Sequence, residues 1–324
     1  MKQFFYIGIA IALDLCFGDP YWLYHPVRLI GKAISTIKKW IQKVFPRDNG
    51  IQKKKEILGG AFLAMTVVVG TYLVTAGILK AAALIHPALA AALEIFWMYQ
   101  ILAAKCLKVE SDKVYRDLKD GNLKKARISI SYLVGRDTKG LSEEEVAKAC
   151  VETVAENTTD GVIAPLFYLF LGGAPLGMAY KAVNTLDSMV GYRNEEFEYL
   201  GKVSARLDDA ANFFPARIAA FAMIITSFLL GFDARGAAAT YRRDKYAHLS
   251  PNCAQTEAVA AGALQIQLGG THDYFGTPVV KPAIGEARKR CQAVQIKETQ
   301  KLMMGSLFCC YILFGTVTWI LCAG

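Results

Sequence analysis

Long apolar runs separated by charged stretches dominate the order of hydrophobic and polar residues along the chain. Residues 58–79 are long enough to cross a bilayer as a helix, and residues 88–104 predict a second apolar helix after the break at His86-Pro87. Three further runs predict membrane helices at residues 4–17, 213–232 and 303–323. The pattern predicts an all-α fold, a polytopic integral membrane protein with helical segments in water.

A further apolar run, residues 162–181, is interrupted by two prolines and a Gly-Gly pair. Such a run predicts a broken helix pair, because non-helical backbone at membrane depth is tolerated where it lines a cavity. If the run crossed the membrane fully, Glu156 and Asp187 would lie on opposite faces. A re-entrant hairpin would keep both residues on one face. We expect the hairpin, because a single site needs its ligands on one side.

Two stretches combine helical periodicity with charged faces, which is typical of helices in water. These stretches are residues 105–160 and 233–302. In the second, a helix of small residues is expected from Glu257 to Leu268, where the Gly269-Gly270 pair would end it. We expect residues 1–324 to form a single integrated membrane domain.

The chain has 37 basic and 28 acidic residues, and its net charge of +9 suits anionic lipid headgroups and anionic substrates. Basic residues concentrate at 28–55, so the positive-inside rule places this loop in the cytoplasm. No basic stripe is interleaved with aromatic residues, and nucleic-acid binding is not expected. The cysteines lack the spacing of a zinc site or a disulfide framework. We expect a multi-pass protein of the inner or plasma membrane, in contact with membrane lipid, whose active site faces the cytoplasm.

Three times between residues 152 and 212, an amide and a carboxylate lie one helical turn apart. The pairs are Asn157 with Asp160, Asn184 with Asp187, and Asp209 with Asn212, the last preceded by Asp208. Residues three apart share a helix face, so each pair presents oxygen atoms in one direction. A hard cation such as Mg²⁺ requires such oxygen ligands. These residues are the predicted metal ligands, and we expect folding to bring them into one pocket.

Several basic side chains are candidates for holding phosphate oxygens. Those nearest the pairs in sequence are Lys181, Arg193 and Arg206. Arg136 is expected to be exposed in a loop. His25 and Arg28 follow Asp14 and Asp19 in a turn-rich stretch, and this grouping of opposite charges is a second candidate region.

Two glutamates precede the first amide-carboxylate pair. The helix that starts with a capping box at Ser142 carries Glu152 and Glu156 on one face. Ser250 or Asn252 is expected to cap the later small-residue helix, whose exposed amides can bind an anion. The sequence alone leaves the role of each glutamate open.

Motifs in a fixed order extend over nearly the whole chain. They lie at residues 14–31, 134–138, 152–161, 184–192, 206–217, 250–252 and 267–270. Together they resemble the adenosylcobinamide-phosphate synthases of cobalamin biosynthesis, called CbiB or CobD. Residues 253–256 depart from the pattern, because the family shows a Gly-Trp-Pro-like run before the glutamate that stands here at 257.

The resemblance implies a membrane ligase that joins adenosylcobyric acid to (R)-1-amino-2-propanol phosphate through an amide bond, with ATP cleaved to ADP and phosphate. The residues expected to contact substrate or phosphate are His25, Arg28, Arg136, Lys181, Tyr192, Arg206, Ser250, Asn252 and Glu257. The chain has no P-loop, so Mg²⁺ on Asp187, Asp208 and Asp209 is expected to hold the ATP phosphates. Asp187 is expected to be catalytic, and Glu152 or Glu156 would be the general base. A homo-oligomer, or association with other late cobalamin-pathway enzymes, is compatible with this reading.

Two other classes of membrane protein use similar acidic and amide residues. An intramembrane prenyltransferase would use Mg²⁺ between paired acids and a lipid diphosphate, and would not consume ATP. A corrinoid transporter or scaffold would line a pathway with acids such as Asp14, Glu94 and Glu156. In a third interpretation, the acids only pair with nearby bases on solvated helix faces.

Overall fold

The structure is a computed structural model that describes all residues except 1, 21, 46–52, 193–195, 275–276 and 324. In the first half of the described chain the helices are α1 (Lys2–Phe17), α2 (Pro26–Val44), α3 (Lys53–Ile85), α4 (Pro87–Ile101), α5 (Ala104–Lys119), α6 (Leu123–Ser131) and α7 (Glu143–Asn157). A π-helical turn (Thr158–Ile163) follows, and then α8 (Ala164–Val190), α9 (Lys202–Ala211), α10 (Phe213–Leu229), α11 (Ala234–Asp244), α12 (Cys253–Leu264), β1 (Gln267–Tyr274), β2 (Thr277–Gly285) and α13 (Ala293–Ala323).

In the part of the chain that the structure describes, four helical segments are long and apolar enough to cross a membrane. They are Lys53–Ile85, Pro87–Lys119, Glu143–Val190 and Ala293–Leu321. Helices α9 and α10 would add a fifth span if they act as one. These segments confirm the predicted all-α, multi-pass membrane fold. Helix α1 forms as predicted, but with 16 residues it is shorter than these spans.

The chain divides into two compact units, each built from two separate stretches. Unit 1 comprises Met1–Leu102 and Pro165–Asn212, and unit 2 comprises Ala103–Ala164 and Phe213–Gly324. The integration of residues 1–324 into a single domain stays a prediction.

The core of unit 1 forms where α2, α3 and the second half of α8 pack together. Its buried side chains include Ile30, Ile34, Ile41, Leu63, Val67, Leu186, Val190 and Leu200. The sequence places the three isoleucines of α2 on one helix face, and burial of that face fixes α2 against α3. A Cβ at Gly60 would clash with the carbonyl oxygen of Leu200, so only glycine lets this part of α3 approach so closely.

Helix α8 is broken in its middle. Gly172 has φ −154° and ψ 23°, and Gly173 has φ 65° and ψ −161°, both outside the helical region. Pro175 lacks a backbone N–H and cannot continue the ladder of the preceding turn. The predicted broken helix pair is therefore confirmed, and its re-entrant path through the membrane stays a prediction.

Unit 2 is organised around α7, which contacts α5, α12 and α13. The predicted capping box at its start is present: the Ser142 N–H donates to Glu145 Oε2 at 2.7 Å, and the Glu145 N–H donates to Ser142 Oγ at 3.3 Å. The helix continues into the π-helical turn, a form that often occurs at functional sites. This turn contains Asp160 and follows directly after Asn157.

A β-hairpin interrupts the helical stretch expected at residues 233–302. Strands β1 and β2 are antiparallel, with an irregular register between Leu268 and Gly270. The prediction that α12 extends to Leu268 is wrong, because the helix ends at Leu264 and Gln265 takes a left-handed conformation. Gly269, read from sequence as a helix stop, adopts φ +78° beside the Pro282 carbonyl within the hairpin, where a Cβ would clash.

Candidate functional site

Two of the three predicted amide-carboxylate pairs meet in unit 1. Asn184 and Asp187 lie on α8, whereas Asp208, Asp209 and Asn212 lie at the end of α9. The charges of Asp187 and Asp209 act on Asp208, the Asn212 side chain donates a hydrogen bond to it, and Asn184 lies close enough to influence it. We call these five residues the aspartate centre.

Tyrosines of α8 hold the aspartate centre in place. The Tyr180 hydroxyl donates to Asn212 Oδ1 at 2.9 Å, and Asn212 Nδ2 donates to Asp208 Oδ2 at 3.0 Å. The ring of Tyr168 stacks on Tyr180 with 4.9 Å between centroids. The chain of donors therefore fixes the Oδ2 oxygen of Asp208. A Cβ at Gly191 would clash with the Asp187 carboxylate, so the motif glycine gives that carboxylate its space.

The surroundings of Asp208 Oδ1 indicate whether the aspartate centre suits a cation. Asp208 Oδ1 is buried and has no hydrogen-bond partner among the described residues, although a buried carboxylate normally requires one. In the described part of the chain, no three His, Cys, Asp or Glu side chains come close enough to hold a metal by themselves. Mg²⁺ commonly uses one or two carboxylates together with substrate phosphates. The donor set fits a Mg²⁺ ion shared with phosphate.

The loop between α1 and α2 positions a second group in unit 1. His25 Nδ1 accepts from the Val27 N–H at 3.2 Å and caps α2, while Nε2 lies 3.8 Å from Asp19. Burial lowers the pKa of His25, the Asp19 charge raises it, and Lys181 lowers it further. Lys181 precedes Asn184 by one turn of α8. This predicted phosphate-binding residue therefore lies beside both the aspartate centre and His25.

The remaining unit 1 candidates are more exposed. Arg206 on α9, Arg28 on α2 and Tyr192 after α8 all present exposed side chains. Arg193 lies outside the described residues. The exposed side chains can reach a ligand in solution, and their substrate roles stay predictions.

Glu152 and Arg136 form a buried ion pair in unit 2. Arg136 Nη2 lies 3.0 Å from Glu152 Oε2, and the Arg136 side chain is only 3% exposed. The backbone N–H of Gly269 on β1 donates to Glu152 Oε1 at 2.8 Å. The prediction that Arg136 is exposed is therefore wrong. The Arg136 side chain is buried because Glu152 is buried on α7, and a buried carboxylate requires a partner of opposite charge.

Replacing Arg136 by Met is expected to lower the free energy of unfolding by about 3–5 kcal/mol, because Glu152 would remain buried without its partner. Unfolding of the detergent-solubilised protein with denaturant measures the loss. Lys113→Met removes an exposed pair, Lys113 with Glu110 at 2.7 Å, and should cost about 1 kcal/mol or less. Equal stability changes in the two variants would contradict a structural role for Arg136.

Glu156 has a different environment from Glu152. It is partly buried, and its Oε1 accepts from the Cys253 thiol at 2.9 Å. No ion pair to Glu156 is found among the described residues, whereas both oxygens of Glu152 are engaged. Asp160 acts on Cys253 through its charge, so Asp160 belongs to this region. Asn157, which the sequence pairs with Asp160, donates from its side-chain amide to the Thr153 carbonyl at 2.9 Å.

Two of the three predicted pairs thus share the aspartate centre, and the third lies with the glutamates of unit 2. A single pocket for all three pairs stays a prediction. Of Glu152 and Glu156, only Glu152 has an ion-pair partner among the described residues, so Glu156 is the better candidate to accept a proton.

Glu257 on α12 completes a group with Glu152 and Glu156, which we call the glutamate cluster. Burial raises the pKa of Glu257 well above its usual range, and the charges of Glu156 and Glu152 raise it further. Lys281 on β2 and Arg136 oppose this shift. Glu257 therefore keeps its proton at a higher pH than an ordinary carboxyl group does.

His248 lies close to the glutamate cluster. Burial lowers its pKa, the charge of Lys281 adds to that effect, and Glu156 and Glu152 oppose it. Its Nδ1 accepts from the Ser250 N–H at 3.1 Å. His248 is therefore neutral near pH 7 and is held by the loop before α12.

Glu257→Gln is expected to flatten the pH dependence of stability from about pH 6.5, the ordinary pKa of histidine, up to the raised pKa of Glu257. Folded Glu257 keeps its proton while the unfolded chain has lost it, so wild-type stability falls as pH rises through this window. His248 is neutral in both states above its ordinary pKa and adds little there. Denaturant unfolding at several pH values measures the slope, and an unchanged slope would contradict a protonated Glu257.

The predicted cap of α12 is only partly present. Asn252 occupies the N-cap position, but its side chain makes no capping hydrogen bond. Asn252 Oδ1 instead accepts from Arg217 Nη1 at 3.3 Å, and Ser250 Oγ accepts from the Asn252 N–H at 3.3 Å. Ser250 therefore orders the loop, and the anion-binding roles of both residues stay predictions.

Three contributors to unit 2 were missed in the sequence: Lys281, His248 and Cys253. Lys281 lies in the hairpin that the sequence reading treated as helix, and Val279-Val280 before it is a signal for strand. The His-Pro dipeptides gave another unused signal, because His25 and His86 both cap helices whose first residue is proline.

Comparison with known proteins gives a consistent result. The family model described as CobD/Cbib protein matches residues 7–303. The chain is 46% identical over 297 residues to cobalamin biosynthesis protein CobD of Clostridium perfringens, covering 92% of each chain. It is 48% identical over 295 residues to cobalamin biosynthesis protein CobD of Citrobacter koseri, covering 91% of each. It is 45% identical over 298 residues to cobalamin biosynthesis protein CbiB of Salmonella arizonae, covering 92% of each. No solved structure matches.

Proposed function

The chain belongs to the CobD/Cbib protein family, and we propose on that premise that it is a membrane enzyme of cobalamin biosynthesis that forms an amide bond at the expense of ATP. The substrates would be adenosylcobyric acid and (R)-1-amino-2-propanol phosphate. The products would be adenosylcobinamide phosphate, ADP and inorganic phosphate. The observation that carries the proposal is the aspartate centre, which presents a buried carboxylate oxygen without a hydrogen-bond partner among the described residues.

The first step would activate the corrinoid carboxylate. A propionate oxygen attacks the γ-phosphorus of ATP, the bond to the β-phosphate bridging oxygen breaks, and an acyl phosphate and ADP result. Asp187 and Asp208, with Asn184 and Asn212, would hold Mg²⁺, which neutralises phosphate charge when bound. Lys181 and Arg206 would bind phosphate oxygens directly, and Lys181 is already beside the centre on α8.

The second step would join the amine to the activated carboxyl group. The amine nitrogen attacks the acyl carbon, and the carbon–oxygen bond to phosphate breaks. Glu156 would take the proton that the nitrogen must lose, because its carboxylate has no ion-pair partner among the described residues. Glu152 would act as a positioning residue, since Arg136 and the Gly269 N–H engage both of its oxygens.

Product analysis with the purified full chain tests this proposal. Wild-type protein in lipid nanodiscs is mixed with adenosylcobyric acid, aminopropanol phosphate, ATP and Mg²⁺, and the corrinoid product is identified by its mass. We expect adenosylcobinamide phosphate with wild type and none with Asp208→Ala. Release of diphosphate from a prenyl lipid without ATP use would instead support the prenyltransferase alternative and overturn the ligase.

A further inference from the structure

Helix α2 carries an exposed apolar row along its length. Leu29, Trp40 and Val44 are 59%, 53% and 47% exposed, and Ala33 lies exposed between them. Their successive offsets of four, seven and four residues place them on one stripe of the helix. The stripe is separate from the buried face of Ile30, Ile34 and Ile41, which packs into the core of unit 1. Helix α2 therefore has a second apolar face, beyond the face that folding buries.

A row of basic residues runs directly beside this apolar row. It consists of Arg28, Lys32, Lys39 and Lys43, all exposed. Each basic residue precedes a member of the apolar row by one position, so the two rows have the same spacing and lie next to each other. A helix with an exposed apolar stripe bordered by lysines has the pattern of a helix that lies in a membrane interface.

The contacts of α2 place it beside a membrane-spanning helix. Ile41 packs at Gly59 of α3, where a Cβ would clash with it. The Trp40 ring lies 5.8 Å from the ring of Phe62, which is itself 50% exposed. Phe62 belongs to Lys53–Ile85, a segment long and apolar enough to cross a membrane. The exposed apolar row of α2 is therefore continuous with the exposed apolar surface of that span, near its charged start at Lys53.

We propose that α2 lies in the plane of the membrane interface and binds anionic phospholipid headgroups. Leu29, Trp40 and Val44 enter the boundary between headgroups and acyl chains, where tryptophan is enriched. Lys39 and Lys43 extend to the headgroup phosphates, and their methylene stems cover apolar surface. The occupant is a lipid because one helix presents both an apolar row and a basic row, whereas a soluble anion would use only the basic row. This inference does not depend on the ligase proposal.

Quenching of Trp40 by brominated lipids tests the inference on the full chain in nanodiscs. The contribution of Trp40 is obtained by subtracting the fluorescence of the Trp40→Phe variant from the fluorescence of the wild-type protein. Brominated phosphatidylglycerol or brominated phosphatidylcholine is titrated into the unlabelled lipid, and the mole fraction at half-maximal quenching is read. We expect quenching by both lipids and a midpoint several-fold lower for phosphatidylglycerol.

The double variant Lys39→Gln with Lys43→Gln should move the phosphatidylglycerol midpoint toward the phosphatidylcholine value, by up to about five-fold for each lysine. The matched control, Lys124→Gln with Lys125→Gln on α6, should leave both midpoints unchanged. Soluble glycerol phosphate at millimolar concentration should not compete. Absence of Trp40 quenching by either lipid, or equal wild-type midpoints for the two lipids, would overturn the inference even if the lysine variants failed to fold. Competition by glycerol phosphate would also overturn it, because it would identify a site for soluble anions.

Discussion

Asp208→Asn is expected to lower the kcat of ATP-dependent amide formation by at least about 10²-fold while leaving the protein folded. The loss has the size that follows removal of one preorganised electrostatic group from an active site. Asn has nearly the same shape, and it removes a buried negative charge that lies beside Asp187 and has one oxygen without a hydrogen-bond partner among the described residues. The thermal midpoint should therefore not fall, because a charge that is costly to bury is gone.

Steady-state turnover and thermal unfolding of the same preparation measure these two effects separately. Asp120→Asn provides a matched control, because Asp120 is an exposed residue at the end of α5. It should retain wild-type turnover. If Asp208→Asn also turned over at the wild-type rate, Asp208 would not belong to the catalytic site. If it unfolded readily, its role would be structural.

Glu156→Gln is expected to lower kcat by about 10²- to 10⁴-fold, the usual contribution of a general base. The substitution keeps the size of the side chain and the acceptor for the Cys253 thiol, which lies 2.9 Å from Oε1. Stability should change little. The acidic limb of the pH profile of kcat should also disappear, because a glutamine side chain cannot act as a general base.

Glu152→Gln is the informative comparison for that experiment. It breaks the buried pair with Arg136 and should therefore destabilise the fold more than Glu156→Gln does. Because Glu152 acts as a positioning residue, the acidic limb of the profile should persist in whatever activity remains. The reverse pattern, with the limb lost in Glu152→Gln and kept in Glu156→Gln, would exchange the two roles.

Local patterns in the sequence predicted the local features correctly. The span at residues 58–79, the capping box at Ser142 and the break at Gly172-Gly173 each depend on residues close together in the chain. The spacing of three residues likewise predicted that Asn184 and Asp187 share a face of α8. Helical geometry fixes these relations before any tertiary contact forms.

The features that were missed depend on partners far apart in sequence. Glu152 receives a hydrogen bond from Gly269, which lies 117 residues later, and no local pattern connects the two. The burial of Arg136 follows from the same arrangement, because a loop arginine is normally exposed unless a buried acid attracts it. The start of the hairpin was predicted as helix because the Gly269-Gly270 pair, which lies in β1, was interpreted as the end of α12. The sequence identified these acids, whereas the structure distinguishes Glu152, which pairs with Arg136, from Glu257, whose pKa is raised by burial.

The central claim is that the aspartate centre holds Mg²⁺ and the phosphates of ATP. The most direct measurement is calorimetric binding of a non-hydrolysable ATP analogue to the full chain in nanodiscs, with and without Mg²⁺. We predict Mg²⁺-dependent binding to wild type and an affinity at least about tenfold weaker in Asp187→Asn. Binding that needs no Mg²⁺, or that is equally tight in Asp187→Asn, would contradict the account.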